Sequence, residues 1–426
     1  MTINIITLGC SKNNVDSEIL AAQFQQQGNV VYHNSIQEKG IDVVVVNTCS
    51  FIQDAKEQAI NEILCQIERK KSGLIHQLYV IGCLAQRYES DLKESLPEID
   101  GIYPFAELNK LLNVTKFDLL CQTERVLSTP SYYAYIKISE GCDRQCSYCA
   151  IPLIRGKQVS KPVEMIVQEA ENLASKGVKE LMLIAQDLTY YGMDLYQRRD
   201  LERLLRRLAQ IQGIEWIRLH YAYPIGFPYE ILDVMNEYSN ICKYLDIPLQ
   251  HISENILKSM NRGGNPMQTY KLIEKIRNQV PGIALRTTLI SGYPTETKEN
   301  HQELLKFVKD MRFERLGFFS YSQEEGTPAY PLGDPIKLKE KNRRLEELIN
   351  LQEDISLELN KTKVGSIMKV IVDDEEENGF VGRTEFDSPE VDDAVIIQKN
   401  KNIKIGEFCS VLIQNADRFD LFGKQV

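Results

Sequence analysis

Cys142, Cys146 and Cys149 lie in the stretch EGCDRQCSYC with the spacing CxxxCxxC, and no fourth ligand stands close by. A structural metal site normally closes its shell with four protein ligands, and a cuboidal iron–sulfur cluster usually takes one thiolate per iron. Three thiolates therefore leave one iron free to hold a small molecule, and chemistry is expected to begin there. Zinc is the competing reading, but it would want a nearby His or a fourth Cys. The nearest of the five histidines are His76 before the motif and His220 after it. Buried cysteines with no metal are the third reading.

Three more cysteines each follow an apolar strand pattern: INIITLGC at Cys10, DVVVVNTC at Cys49 and QLYVIGC at Cys83. Amphipathic helical stretches follow, such as 16–27 and 52–69. In a parallel α/β sheet the strand C-termini converge on one edge, where ligands bind. Each cysteine alone reads as a small buried hydrophobe. Three at the same topological place read as a second three-thiolate set.

The elements that position these groups fall into three parts: 1–125, 128–358 and 361–426. The first alternates strands and helices as a parallel α/β domain. The second repeats strand and helix six times, with candidate strands at 134–139, 180–185, 216–220, 244–248, 283–290 and 315–320. Helical stretches lie between, for example 163–176, 201–212 and 296–311. This pattern fits a partial, open (β/α)6 barrel whose site lies at the strand C-termini, and the CxxxCxxC loop follows its first strand. Gln186 and Asp187 end the second strand, and Gln250 and His251 the fourth, where they meet cofactor or substrate or merely cap strand ends. His251 alone reads equally as a satisfied core histidine. Tyr190, Tyr191, Tyr221 and Tyr223 read as packing aromatics, and Cys65, Cys121, Cys242 and Cys409 have no ligand-like setting. The third part has short alternating strands, SIMKVIVD, NGFVGRT, DDAVIIQK and FCSVLIQN, and predicts a small all-β barrel of the OB type.

Bulk properties narrow the function. The 426 residues suit about three domains. With 43% apolar and 26% charged residues the chain can bury a real core. No apolar run approaches the roughly 20 residues of a membrane helix, and MTINIITLGC has no secretory pattern, so a cytoplasmic protein without membrane contact is expected. In that compartment ten cysteines are not a disulfide framework. Net charge is −10, which argues against a broad nucleic-acid footprint. The last part has thirteen acidic against nine basic residues, a poor RNA clamp and a suitable surface for a basic protein. Nothing demands more than a monomer.

Taken together, these residues resemble the methylthiotransferases of the radical S-adenosylmethionine superfamily, over essentially the whole chain. LGCSKNNVDSE, VVNTCSFI and VIGCLAQRY are similar to that family's N-terminal domain. EGCDRQCSYCAIPLIRG is similar to its radical-generating loop, and the C-terminal barrel to its TRAM domain. One branch of the family modifies an adenine of transfer RNA and another an aspartate of a ribosomal protein. LGCSKN, AQDLTYYGMDLY (185–196) and VGRTEFDSPEVDD (381–393) resemble the second branch. Leu188 stands where that branch usually has Thr.

The resemblance implies a 4Fe–4S cluster on Cys142, Cys146 and Cys149 whose open iron chelates S-adenosylmethionine. It implies a second 4Fe–4S cluster on Cys10, Cys49 and Cys83 that carries the sulfur to be transferred. One-electron cleavage of the cofactor would give a 5′-deoxyadenosyl radical, which the barrel must shield. The expected target is the β-carbon of an aspartate in protein twelve of the small ribosomal subunit. That sp³ carbon offers no useful acidity, so hydrogen-atom abstraction replaces a general base. Arg286 and the LISGYPTET turn with Gly292 resemble the cofactor-contacting fifth strand, where an inward Arg would pair with the cofactor carboxylate. The implied partners are a basic ribosomal protein and a low-potential electron donor. RNA contact through the C-terminal barrel is not favoured. The alternatives are a transfer-RNA adenine methylthiotransferase, an iron–sulfur carrier or assembly scaffold, and a barrel that merely tethers the enzyme to RNA.

Overall fold

The structure, a computed structural model, describes residues 1–36 and 40–426. Its first sheet contains β1 (Thr2–Thr7), β2 (Val30–His33), β3 (Val43–Thr48), β4 (Gln77–Gly82) and β5 (Gly101–Tyr103), ordered β2-β1-β3-β4-β5 with every pairing parallel. All six residues of β3 are buried, as expected for a central parallel strand covered on both faces. Helix α1 (Ser11–Gln26) follows β1, α2 (Gln53–Lys71) follows β3, and α3 (Cys83–Arg87) follows β4. The strand ends therefore share one edge, as the sequence pattern predicts. β2 and β5 are short edge strands that the pattern did not announce.

The second sheet takes β6 (Tyr133–Lys137), β9 (Glu180–Ile184), β10 (Trp216–Leu219), β11 (Ile241–Asp246), β12 (Ala284–Ser291) and β13 (Arg315–Ser320) in the order β13-β12-β11-β10-β9-β6, again all parallel. A separate hairpin, β7 (Ser139–Glu140) with β8 (Val159–Ser160), frames the cysteine loop. The two faces of the curved sheet differ by the strand period of two. Ala134 and Ile136 join the outer core under helices Val163–Ser175 and Leu201–Leu208. Tyr133 and Tyr135 join an inner cluster with Met182, Trp216, Tyr244 and, from α1, Val15 and Ile19. The N-terminal helix thus fills part of the concave face.

The C-terminal barrel is closed in the order β14-β15-β16-β18-β17, from β14 (Ile367–Glu376), β15 (Gly379–Thr384), β16 (Val395–Gln398), β17 (Phe408–Ala416) and β18 (Leu421–Gln425). The loop between β15 and β16 packs against the large sheet, meeting residues at the start and in the middle of its strands. Arg218 Nη1 donates to the Glu385 carbonyl at 2.7 Å, Tyr244 to Asp392 at 2.7 Å and Tyr133 to Glu390 at 3.1 Å. Arg383 pairs with Glu180 at 2.9 Å, and Arg315 Nε donates to Asp387 at 2.9 Å. The motif 381–393 closes the base of the half-barrel, opposite the cysteine loops. Among the described residues no helix is long and apolar enough to cross a membrane.

Candidate functional site

Cys10 is the N-cap of α1, Cys49 follows β3 directly, and Cys83 opens α3. Close approach is built into the preceding glycines. Gly9 has φ +93°, and a Cβ there would lie 2.6 Å from Cys49 Cβ; Gly82 has φ +90°, and its Cβ would lie 2.6 Å from the Thr48 carbonyl. Only glycine tolerates both the backbone and the crowding. Asn13 ties the strand ends together, donating to the carbonyls of Leu8 at 2.8 Å and Thr48 at 3.0 Å. Cys10, Cys49 and Cys83 are brought within electrostatic reach of one another. Burial pushes the Cys49 thiol up to about 12, with Cys83 and Cys10 adding to the effect, and burial also raises Cys83, with Cys10 adding to it.

The second set is equally coherent. Cys142, Cys146 and Cys149 sit between β7 and the short helix Ile151–Arg155. The Arg144 N–H donates to Cys142 Sγ at 3.4 Å and Arg262 Nη1 to Cys146 Sγ at 3.3 Å. Burial pushes Cys142 up to about 11 and Cys149 to about 12. Among the described residues the cysteines are free thiols, and no group of three or more His, Cys, Asp or Glu is gathered tightly enough to grip one metal ion. The donor chemistry fits an iron–sulfur cluster at each place: three soft thiols converge with no carboxylate or imidazole among them, and guanidiniums stand ready to favour the thiolate form.

A buried ionic network joins the two sets. Arg155 Nη1 pairs with Asp16 at 2.7 Å and Glu140 at 3.0 Å, while its Nη2 donates to Asn13 at 2.6 Å and approaches Cys83 Sγ at 3.6 Å. Lys137 bridges the same two carboxylates. Burial alone would raise the Glu140 carboxyl, but Arg155 and Lys137 hold it well below its ordinary value.

Gln186 and Asp187 join the cysteine loop. Gln186 Nε2 donates to Glu140 at 3.0 Å, and its Oε1 is buried without a hydrogen bond among the described residues. Asp187 caps the turn Leu188–Tyr190 by accepting from Thr189 N at 2.9 Å, and it also accepts from Arg144 Nε at 2.8 Å. Gln250 lies beside β12, with its N–H on the Thr288 carbonyl and φ at +73°. Gly292 N–H donates to Glu296 at 2.6 Å. His251 is fully buried, accepts from Ser253 N at 3.0 Å, and points Nε2 at Glu296 from 3.9 Å. Arg286 stands apart from the cysteines and engages Asp246 at 3.4 Å and Asp392 at 3.2 Å. Sequence reasoning missed Asp16, Glu140, Arg155 and Arg262. For Asp16, Glu140 and Arg155 the signal available was their charge at positions inside, or just beyond, the cysteine motifs; Arg262 lies far from every motif and carried no such signal.

The chain is similar to known proteins along its whole length. Residues 136–308 match the model of the Radical SAM superfamily, residues 364–426 that of the TRAM domain, and residues 2–104 that of Uncharacterized protein family UPF0004. It is 51% identical to the ribosomal protein uS12 methylthiotransferase RimO of Cytophaga hutchinsonii, covering 100% of this chain and 98% of that one. It is 52% identical to the protein of the same name from Phocaeicola vulgatus, covering 99% and 98%. Among solved structures it resembles the radical S-adenosylmethionine methyltransferase TsrM from Kitasatospora setae, with a TM-score of 0.58 at 14% identity, covering 88% of this chain and 79% of that one. At that identity the likeness concerns fold alone.

Proposed function

Because the chain belongs to the ribosomal protein uS12 methylthiotransferase (RimO) family of radical S-adenosylmethionine enzymes, we propose that it adds a methylthio group to the β-carbon of an aspartate in uS12. Two 4Fe–4S clusters and S-adenosylmethionine are its cofactors. The observation that carries this reading is full-length identity of 51% to a uS12 enzyme, in a chain whose two cysteine triads each converge. The transfer-RNA alternative has no comparable support.

In this reading Cys142, Cys146 and Cys149 hold the cluster that meets S-adenosylmethionine, and Cys10, Cys49 and Cys83 hold the other. When bound, these groups supply one-electron cleavage of the sulfonium and the sulfur that is transferred. The chain supplies position and charge. Arg262 and the Arg144 N–H favour the thiolates they touch. Arg155, Lys137, Asp16 and Glu140 lock the two cysteine sets to one another. Gln186 offers its unpartnered carbonyl oxygen to the cofactor. Asp187 orients Arg144, and Gln250, His251 and Gly292 shape the cofactor's other wall, with Glu296 fixing the Gly292 turn. Arg286 reaches a cofactor carboxylate only by giving up Asp246 or Asp392. The units 1–125, 128–358 and 361–426 act as cluster domain, radical barrel and substrate-facing TRAM barrel. The enzyme works as a cytoplasmic monomer with a low-potential electron donor, and its acidic C-terminal barrel favours a basic protein over RNA.

The test is anaerobic reconstitution followed by assay on both substrates. We expect roughly eight irons per chain from the cluster formula, and mass spectrometry should find one methylthio group on uS12 and none on transfer RNA. Modification of RNA alone would replace this reading with its alternative.

A further inference from the structure

Lys12 lies two residues after Cys10 in the first turn of α1, where that helix enters the concave face of the half-barrel. Its side chain is 8% exposed. The neighbouring buried cations are engaged: Arg155 and Lys137 with Asp16 and Glu140, Arg286 with Asp246 and Asp392, and Arg262 with the Pro248 carbonyl. Among the described residues the Lys12 ammonium makes no hydrogen bond or ion pair. Its ammonium rests 3.7 Å from the centroid of the Tyr221 ring, within electrostatic reach of Cys10, Glu140 and Asp246. The ring is held by a backbone at φ +67° and by the Tyr221 N–H, which donates to Asp246 at 3.3 Å. An aromatic face steadies a cation but gives it no counter-charge.

We propose that Lys12 receives the side-chain carboxylate of the substrate aspartate and so makes the site selective for an anionic residue. The inference rests on the function proposed above and deepens it. The carbon that gains sulfur is bonded directly to the carboxylate carbon. Once that carbon lies between the two cysteine sets, the carboxylate is buried with it, and a buried carboxylate needs a cation. Lysine suits the task because its compact charge sits on a flexible stem. It leaves the Tyr221 face for the incoming oxygen without breaking an existing ion pair.

The test uses the reconstituted full-length enzyme with uS12 and with uS12 whose target aspartate is changed to asparagine. Equilibrium binding by fluorescence anisotropy is read beside KM and kcat. The wild type should bind the aspartate form roughly tenfold more tightly, the size of one charge-assisted hydrogen bond. Lys12→Met should bind both forms alike, at the level of the asparagine form, and Lys12→Arg should recover part of the preference. Lys12→Gln, closer in polarity, gives the same reading if the Met variant loses iron or folds poorly. A tenfold preference that survives in both neutral variants overturns the proposal. Wild-type enzyme that ignores uS12 and modifies transfer RNA overturns the underlying function instead, before any variant is compared.

Discussion

Arg155, at the end of the short helix that follows the radical-SAM cysteine loop, and Cys83, just past a strand end of the N-terminal sheet, approach to 3.6 Å from guanidinium nitrogen to sulfur. The same guanidinium holds Asp16 and Glu140. One buried cation therefore couples the geometry of both cysteine sets, so displacement of either loop is felt by the other.

Replacing Arg155 with Gln should leave the buried Asp16 and the part-buried Glu140 with Lys137 as their shared cation. Removal of one partner from a buried ion pair costs about 3–5 kcal/mol, and the surviving lysine places this case near the lower end. Urea denaturation should show a loss of about 3 kcal/mol by that measure. Iron should also leave the Arg155→Gln protein faster under a chelator, and Arg155→Lys should restore part of both properties. Unchanged stability together with unchanged iron retention would contradict the coupling.

The two cysteine sets have separate tasks, so their loss should separate as well. Cys146→Ala should abolish reductive cleavage of S-adenosylmethionine, because it removes a ligand of the cluster that meets the cofactor. Cys49→Ala should retain cleavage and fail to place sulfur on uS12. Each variant should lose about four irons, one cluster's worth. Equal loss of cleavage in both would remove the division of labour.

Much of this arrangement was legible in the sequence where a single local signal sufficed. The run VVVVNT announces a doubly covered strand, and the cysteines announce themselves by spacing and by their repeated place after strands. The edge strands VVYH and GIY carry too few residues to show a period. LFGKQ, the fifth strand of the small barrel, has no clear alternation. The fourth barrel strand begins at Ile241, three residues before its expected start, because Lys243 interrupts the apolar run. Helix α1 begins at Ser11 and not at Asp16, since Lys12 and Asn13 are polar yet buried. Those residues are buried by partners far along the chain, as with Asn13 and Arg155. No local pattern reports such contacts, so the ionic half of the site emerges only from the fold.

The base of the half-barrel depends on Glu180, which is fully buried between Arg218 and Arg383 at 2.9 Å each. Burial alone would raise its carboxyl, and the two guanidiniums hold it below the ordinary value. Arg383→Leu should weaken docking of the C-terminal barrel by about 3 kcal/mol, the lower range for breaking a buried pair. Limited proteolysis should then cut near 361–366 faster than in the wild type. In Glu180→Gln/Arg383→Leu the combined loss should be smaller than the sum of the single losses, because the two groups share one interaction. Simple additivity would mean that the pair does not hold the barrel in place.

His251 gives the fold a defined sensitivity to acid. Burial, with His301 and Arg344 nearby, pushes its imidazole down to about 3 from an ordinary 6.5. The folded protein therefore keeps this ring neutral while the unfolded chain protonates it. The stabilisation is fully present above about pH 6.5 and is lost progressively as pH falls toward 3, at about 1.4 kcal/mol per pH unit. His220 is pushed down in the same sense, so the wild type should lose stability on a slope that exceeds one proton. His251→Asn should lower that slope by about 1.4 kcal/mol per pH unit in urea denaturation between pH 6 and 5, with little change in slope above pH 7. Parallel curves for the variant and the wild type would show that the ring is already protonated in the folded protein, with Glu296 as its counter-ion.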